Sequence, residues 1–258
     1  MHWVRDFYTK QNEWLGVYLT DVEAMHRQRA IKLLSLLSDS HARVLELGAG
    51  GGQTAVALAL LADELHCTTV ELLEPSVQHA RKLAAANFVQ GQIQALQADF
   101  YAVDLPSDGF DLIAYFDSFG IGEDADQRRL LRRIWHWLDK RQSRSRVLIE
   151  VGMPTFWASK ARGKTMQIAD VCRRYEFDPI GSRLLDYWYP VGQENAAHYQ
   201  SLRCYTPADL RLLLEGTGLQ LLDCLPNGRV DYERMEFVAD GVPLADCMTY
   251  YAIMQAVF

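Results

Sequence analysis

The stretch that most constrains this chain is "VLELGAGGGQTAVALA", Val44 to Ala59. A short apolar run carrying one acid, Glu46, enters Gly48-Ala49-Gly50-Gly51-Gly52 and leaves through an alanine-rich segment. Glycine has no Cβ, so the turn can take positive φ and its main chain can lie directly against a ligand. A strand, a glycine turn and a helix N-terminus together offer unpaired N–H donors to something polar or negative. The expected unit is therefore β-turn-α, with a small polar molecule on the turn.

The same alternation continues downstream. "CTTVELL", "IQALQAD", "FDLIAYF" and "RVLIEV" read as strands, while Gln53–Ala62, Ser76–Ala86 and "DADQRRLLRRIWHWL" read as helices. Strands alternating with helices predict a parallel sheet with right-handed crossovers, covered on both faces. The pattern stops after Val151. "YEFDPIGSRLLDYWYPVGQENAAHYQSLRCY" has strand-like pieces separated by closely spaced turn residues, which predicts an antiparallel insertion. "TPADLRLLLEGTGL" restores a helix, with Thr206 as cap and Pro207 in its first turn. "QLLDCL" and "MTYYAIMQAVF" read as closing strands, the last one antiparallel.

Length and composition fit one domain. The 258 residues are 49% hydrophobic and 23% charged, enough for a sizeable core. The expected division is a helical lid over 1–40, a ligand-binding core over 41–151, an insertion capping the substrate over 152–205, and the rest of the core over 206–258. The lid is rich in aromatics: Trp3, Phe7, Tyr8, Trp14 and Tyr18. A net charge of −7 argues against a nucleic-acid partner, which needs clustered cations. No apolar run reaches the length of a membrane span, and the N-terminus lacks the apolar core of a signal peptide. Five scattered cysteines without a C-x-x-C pair then read as reduced thiols in the cytoplasm. Arg128, Arg129, Arg132 and Arg133 line one side of an amphipathic helix and read as its solvated face.

Two classes of cofactor site begin with a strand and a glycine turn. The dinucleotide fingerprint requires a third small residue where this chain has Gln53, and its pyrophosphate would be repelled by Glu46. The order acid-x-Gly-x-Gly-x-Gly is matched at Glu46, Gly48, Gly50 and Gly52. It resembles the first motif of class I S-adenosylmethionine-dependent methyltransferases of the small-molecule type. The resemblance implies a Rossmann-like, doubly wound, seven-stranded α/β sheet with its last strand antiparallel and an antiparallel β insertion after strand five. It also implies S-adenosyl-L-methionine as cofactor and S-adenosyl-L-homocysteine as product. Residues 40–151 carry it motif by motif and 203–258 by pattern.

Site residues follow from the motifs. Glu46, Gly48, Ala49, Gly50 and Gly52 form the turn. "TVELLEPSVQHAR" looks like the second strand, whose terminal acid takes the ribose hydroxyls; this falls on Glu71, beside Leu72, with Glu74 as competitor. "LQADFY" resembles the third-strand motif and gives Asp99 the adenine amino group and Phe100 the ring. "FDLIAYFDSFG" is similar to the fourth strand, placing Tyr115 and Phe116 near the sulfonium and Asp117 at the reaction mouth.

Methyl transfer from a sulfonium is an in-line displacement, so alignment and desolvation matter most. A base is needed only where the nucleophile must lose a proton. The candidates are Asp117 and His198, with Tyr8, Tyr199 and Tyr205 behind them. Tyr8, Trp14, Trp157, Trp188 and Arg203 are the expected substrate contacts. The Asp/Asn-Pro-Pro-Tyr and Pro-Cys signatures of nucleic-acid methylation are absent, and no carboxylate set for a metal is present. The expected partner is thus a small molecule methylated on O, N or C, with no membrane contact and a monomer or homodimer as the acting form. The rival readings are an S-adenosylmethionine-binding protein without turnover, an NAD(P)-dependent oxidoreductase, and an aminopropyl transferase.

Overall fold

A computed structural model describes residues 2–16, 21–39 and 41–257. Two helices, α1 (His2–Leu15) and α2 (Ala24–Leu34), precede the first strand. The core then runs β1 (Arg43–Leu47), α3 (Gln53–Ala59), β2 (His66–Glu71), α4 (Glu74–Ala86), β3 (Ile93–Gln97), β4 (Leu112–Tyr115), α5 (Asp124–Trp137) and β5 (Arg146–Gly152). A short helical turn, α6 (Pro154–Phe156), leads through a wider π-type turn (Trp157–Ala161) into the insertion. The insertion holds β6 (Thr165–Ile168), β7 (Val171–Asp178), β8 (Arg183–Pro190) and β9 (His198–Arg203). The chain closes with α7 (Pro207–Leu214), β10 (Leu219–Pro226), a hairpin of β11 (Arg229–Asp231) and β12 (Glu236–Val238), and β13 (Thr249–Ala256).

The main sheet has seven strands in the order β10-β13-β5-β4-β1-β2-β3. β1 to β5 pair in parallel, and β13 runs antiparallel to both β5 and β10. Parallel strands covered on both faces need apolar side chains on both, and β4, "LIAY", is buried throughout. Ile113 and Tyr115 join the core under α5 and α7; Leu112 and Ala114 join the one under α2 and α3. That split is the strand's period of two. The order reverses between β4 and β2 around β1, which opens a crevice at the carboxyl ends of the strands, where ligands bind in such sheets.

The insertion is a separate four-stranded antiparallel sheet, β6-β7-β8-β9. It sits over that carboxyl edge: Ile121, beyond β4, bridges Leu202 of β9, and Arg203 donates its N–H to the Gly120 carbonyl at 2.9 Å. The expected sheet, its antiparallel last strand and the placement of the insertion are all found. The boundaries shift. β2 ends at Glu71 and α4 begins at Glu74, while α3 stops at Ala59. The β11–β12 hairpin was not anticipated, because strands of three residues carry too little periodicity to read.

Gly52 caps α3 at φ +76°, and a Cβ there would lie 2.6 Å from the Ala80 Cβ of α4. Both the left-handed backbone and the helix contact exclude a side chain. Gly52→Ala is expected to destabilise the fold by roughly 2 kcal/mol, through αL strain and overpacking. Thermal unfolding checks this, and an unchanged Tm would show that α4 yields freely.

Candidate active site

A cavity of about 420 Å³ opens at the carboxyl edge, between the strand ends, α1, α2 and the insertion sheet. Its first half is the glycine turn. Gly48, Gly50 and Gly52 take φ of +60°, +54° and +76°, and the N–H groups of Gly48 and Ala49 donate to the Val70 carbonyl. The turn is thereby stitched to β2, with Ala49 and Gly50 on the cavity wall.

Glu71, the last residue of β2, faces this turn. Its Oε2 accepts the Gly50 N–H and its Oε1 the Leu73 N–H, both at 3.0 Å. Burial pushes its pKa up, against the pull of these bonds. Each oxygen keeps a second lone pair for a ligand hydroxyl. Glu74 instead lies exposed in the first turn of α4, bonded to Gln78. Geometry thus brings Glu71 to the cavity and leaves Glu74 outside it. Glu46 is buried on the floor, accepting from the Ala55 N–H and the Thr54 hydroxyl, and burial pushes its pKa up to about 8. Asp99 and Phe100 line the far wall, with the Phe100 ring 5.3 Å from that of Tyr115.

At the end of β4 the chain turns sharply. Asp117 takes φ +62°, unusual for a residue with a side chain, and this directs its carboxylate into the cavity, where it is 62% exposed. Arg29 of α2 holds Asp117 at 2.7 Å and Glu150 of β5 at 3.0 Å, its guanidinium 4.7 Å from the Phe116 ring centre. Glu150 also accepts from Asn227 at 2.9 Å and Thr249 at 2.8 Å. Desolvation raises the pKa of Asp117, but its cationic neighbours, Arg29 first and then Arg173, together outweigh it, so it titrates below the ordinary range. Glu150 is raised by burial and by Asp117. His26, one turn before Arg29, is pushed down to about 4 by burial and by Arg29, and is neutral at pH 7.

The second half of the cavity is the insertion. Asp186 of β8 is fully buried and accepts from Arg173 at 2.7 Å, Trp188 Nε1 at 2.8 Å and Gln200 Nε2 at 2.9 Å. Gln200 then turns its Oε1 to the Tyr8 hydroxyl, 3.0 Å away, and Tyr8 lies 3.0 Å from Ser118 Oγ. The carboxylate needs a donor, so the amide orientation is set, and the single Tyr8 proton goes to Gln200. Trp157, Tyr175 and Trp188 supply aromatic walls.

The expected residues divide clearly. Glu46, Gly48, Ala49, Gly50, Glu71, Leu72, Asp99, Phe100, Tyr115, Phe116, Asp117, Tyr8, Trp157, Trp188 and Arg203 all line the cavity. Gly52 acts behind it, on helix packing. Trp14 and His198 are not on its wall. They pack on each other at 5.7 Å, because Trp14 follows the Phe7 stripe of α1 and His198 sits at the remote end of β9. Tyr199 is exposed and stacks on Tyr187, and Tyr205 donates to Asp124 at 2.7 Å, so neither is placed as a base. Arg203 is held by Asp124 at 3.4 Å. Tyr18 lies outside the described residues. Among those described, no group of three or more His, Cys, Asp or Glu is arranged for a metal, and no helix is long and apolar enough to cross a membrane.

Arg29, Asp186 and Gln200 were missed, though the first two left a signal. His26, Arg29, Ala30 and Leu33 share the buried face of α2, and Leu184, Asp186 and Trp188 share the buried face of β8. A charge on an apolar face at the period of its element marks a paired, buried group.

Comparison with known proteins agrees with this geometry. Residues 44–141 match the family model described as a methyltransferase domain. No curated protein matches the chain. Among solved structures, the CcbJ methyltransferase from Streptomyces caelestis is 21% identical, with 90% of each chain covered and a TM-score of 0.71. An S-adenosylmethionine-dependent methyltransferase from Clostridium acetobutylicum is 14% identical, covering 96% of this chain and 98% of that one, at a TM-score of 0.65. The 1,6-didemethyltoxoflavin-N1-methyltransferase of Burkholderia thailandensis, solved with S-adenosylhomocysteine, is 17% identical over 100% of this chain and 86% of its own, at 0.60. With the glycine turn, the acid ending β2 and the seven-stranded order already in place, residues 44–141 match a methyltransferase domain and the chain shares the fold of these solved methyltransferases.

Proposed function

We propose that this protein moves a methyl group from S-adenosylmethionine to a nitrogen of a small, partly aromatic acceptor. One observation carries the reading: a single cavity joins the glycine turn to the aromatic insertion wall, and the two halves meet at Asp117 and Ser118. The cofactor supplies a methyl group already activated on a sulfonium. Glu71 takes the ribose hydroxyls, Asp99 the adenine amino group, and Phe100 covers the ring. Glu46 faces the ammonium of the amino-acid end and Arg29 its carboxylate. Tyr115 and Phe116 exclude water beneath the reacting carbon, which sharpens the electrostatics there.

Nitrogen is favoured over oxygen because Asp117, His26 and Tyr8, which line the acceptor half, are poor bases near neutral pH. Asp117 is kept ionised by Arg29, His26 is neutral with a low pKa, and the Tyr8 hydroxyl is pushed well above its ordinary value by burial. None of them takes a proton readily near neutral pH. A neutral amine or ring nitrogen attacks through its lone pair and releases its proton afterwards to water; a hydroxyl needs the base first. The test is mass spectrometry of the purified protein for S-adenosylhomocysteine, followed by matched amine and alcohol acceptors assayed for its release. Turnover confined to alcohols would refute the nitrogen reading. Binding without turnover on any acceptor would favour the non-catalytic alternative.

Glu46 gives a second test. In the free protein it holds its proton up to about pH 8. Pairing with an ammonium favours the ionised form. Binding of S-adenosylhomocysteine at pH 7 is therefore expected to release a fraction of a proton, read as a dependence of the calorimetric heat on buffer ionisation enthalpy. Buffer-independent heat would remove Glu46 from the ammonium.

A further inference from the structure

The row of arginines on α5 is not only a solvated face. Arg133 reaches inward: its Nε donates to the Phe100 carbonyl at 3.1 Å, its Nη2 donates to the Val103 carbonyl, and its guanidinium lies 4.8 Å from the Trp137 ring centre. Six residues earlier Gln127, 1% exposed, sits where two loops meet. Its Nε2 donates to Tyr101 Oη at 3.2 Å and to the Ile121 carbonyl, its Oε1 accepts the Gly120 N–H at 3.3 Å, and Tyr101 Oη donates to Ile121 at 3.2 Å. The loop after β3 is thus fastened to α5 at both ends and to the loop after β4 in its middle.

That loop carries Asp99, whose own hold is weak. Asp99 is exposed; its Oδ1 accepts the Tyr101 N–H at 2.8 Å, and its main-chain oxygen accepts from Ala102 and Val103. The position of the remaining carboxylate oxygen therefore follows from the path of residues 99–103. We propose that Arg133 and Gln127 are positioning residues for the adenine subsite, fixing Asp99 and Phe100 from behind so that the amino group of the base is read. This rests on the proposed pairing of Asp99 with adenine.

The experiment compares S-adenosylhomocysteine with S-inosylhomocysteine by calorimetry. In the inosine analogue the 6-amino donor becomes a carbonyl acceptor, which a carboxylate rejects. The wild-type protein is expected to prefer the adenine ligand by at least about tenfold, the worth of one hydrogen bond to a charged group. In Arg133→Met, which keeps an apolar stem against Trp137, the preference is expected to fall below about threefold, and Arg133→Lys should retain an intermediate value. Arg132→Met, on the same helix, should keep the wild-type ratio. A structural role alone would weaken both ligands together and lower Tm without moving the ratio. An unchanged ratio in Arg133→Met, or in Arg133→Lys if the first variant does not fold, overturns the proposal. A wild-type ratio near one shows instead that Asp99 does not read the amino group, and the proposal falls with it.

Discussion

Glu71→Ala is expected to weaken S-adenosylhomocysteine binding roughly 100-fold. Two ribose hydroxyls donating to a carboxylate are worth about 1.5–3 kcal/mol each, less what water recovers. A second loss adds to this. Glu71 also accepts the N–H groups of Gly50 and Leu73, so alanine frees the glycine turn as well as the ligand. Glu71→Gln keeps one acceptor oxygen and should recover part of the affinity. Glu74→Ala should change little, since Glu74 lies exposed on α4. Calorimetric titration, with Tm measured alongside, decides it. Intact binding in Glu71→Ala with loss in Glu74→Ala would move the ribose contact three residues along the chain.

Arg29→Met is expected to cost about 3 kcal/mol of stability and to lower Tm by roughly 6–12 °C. The Arg29–Glu150 arm is the expensive one, with both side chains at most 10% exposed. The Asp117 arm opens into the cavity and is discounted for solvent screening. Adding Glu150→Gln should restore much of the loss, because the neutral amide removes the orphaned charge. The direction with pH is also fixed. Glu46 and Glu150 have native pKa values above their unfolded ones, so the native state binds more protons and stability falls as pH rises. For Glu46 the window runs from about 4.5 to about 8. The Arg29→Met defect should therefore shrink at pH 5 and grow at pH 8. A variant equally stable at both would contradict this account of the cluster.

What could be read from sequence was the local part of the site. Glu46, the glycines, Glu71 and Asp99 stand at or just beyond strand ends, so chain order alone places them on one edge of a parallel sheet. Contacts made across the chain were not legible in the same way. Trp14 of the expected lid and Trp188 of the expected cap are both aromatic, yet only Trp188 faces the cavity. Whether a side chain faces the cavity is set by how α1 rolls against β8 and β9, which no spacing records. His198 has the inward parity of Gln200 and Leu202 but lies at the far end of its strand. Arg133 looked like one more solvated arginine, because its acceptors are main-chain carbonyls some 30 residues away. Arg29 and Asp186 were readable in principle, as charges on otherwise buried faces.

The most direct measurement is titration of the purified protein with S-adenosylhomocysteine and, separately, with NAD. Micromolar binding of the first at one site, no binding of the second, and loss of binding in Gly50→Val are the predicted results. Gly50 sits at φ +54° on the cavity wall, so a branched side chain there both strains the turn and enters the space of the ligand. Binding of NAD in place of S-adenosylhomocysteine, or undiminished binding by Gly50→Val, would contradict it.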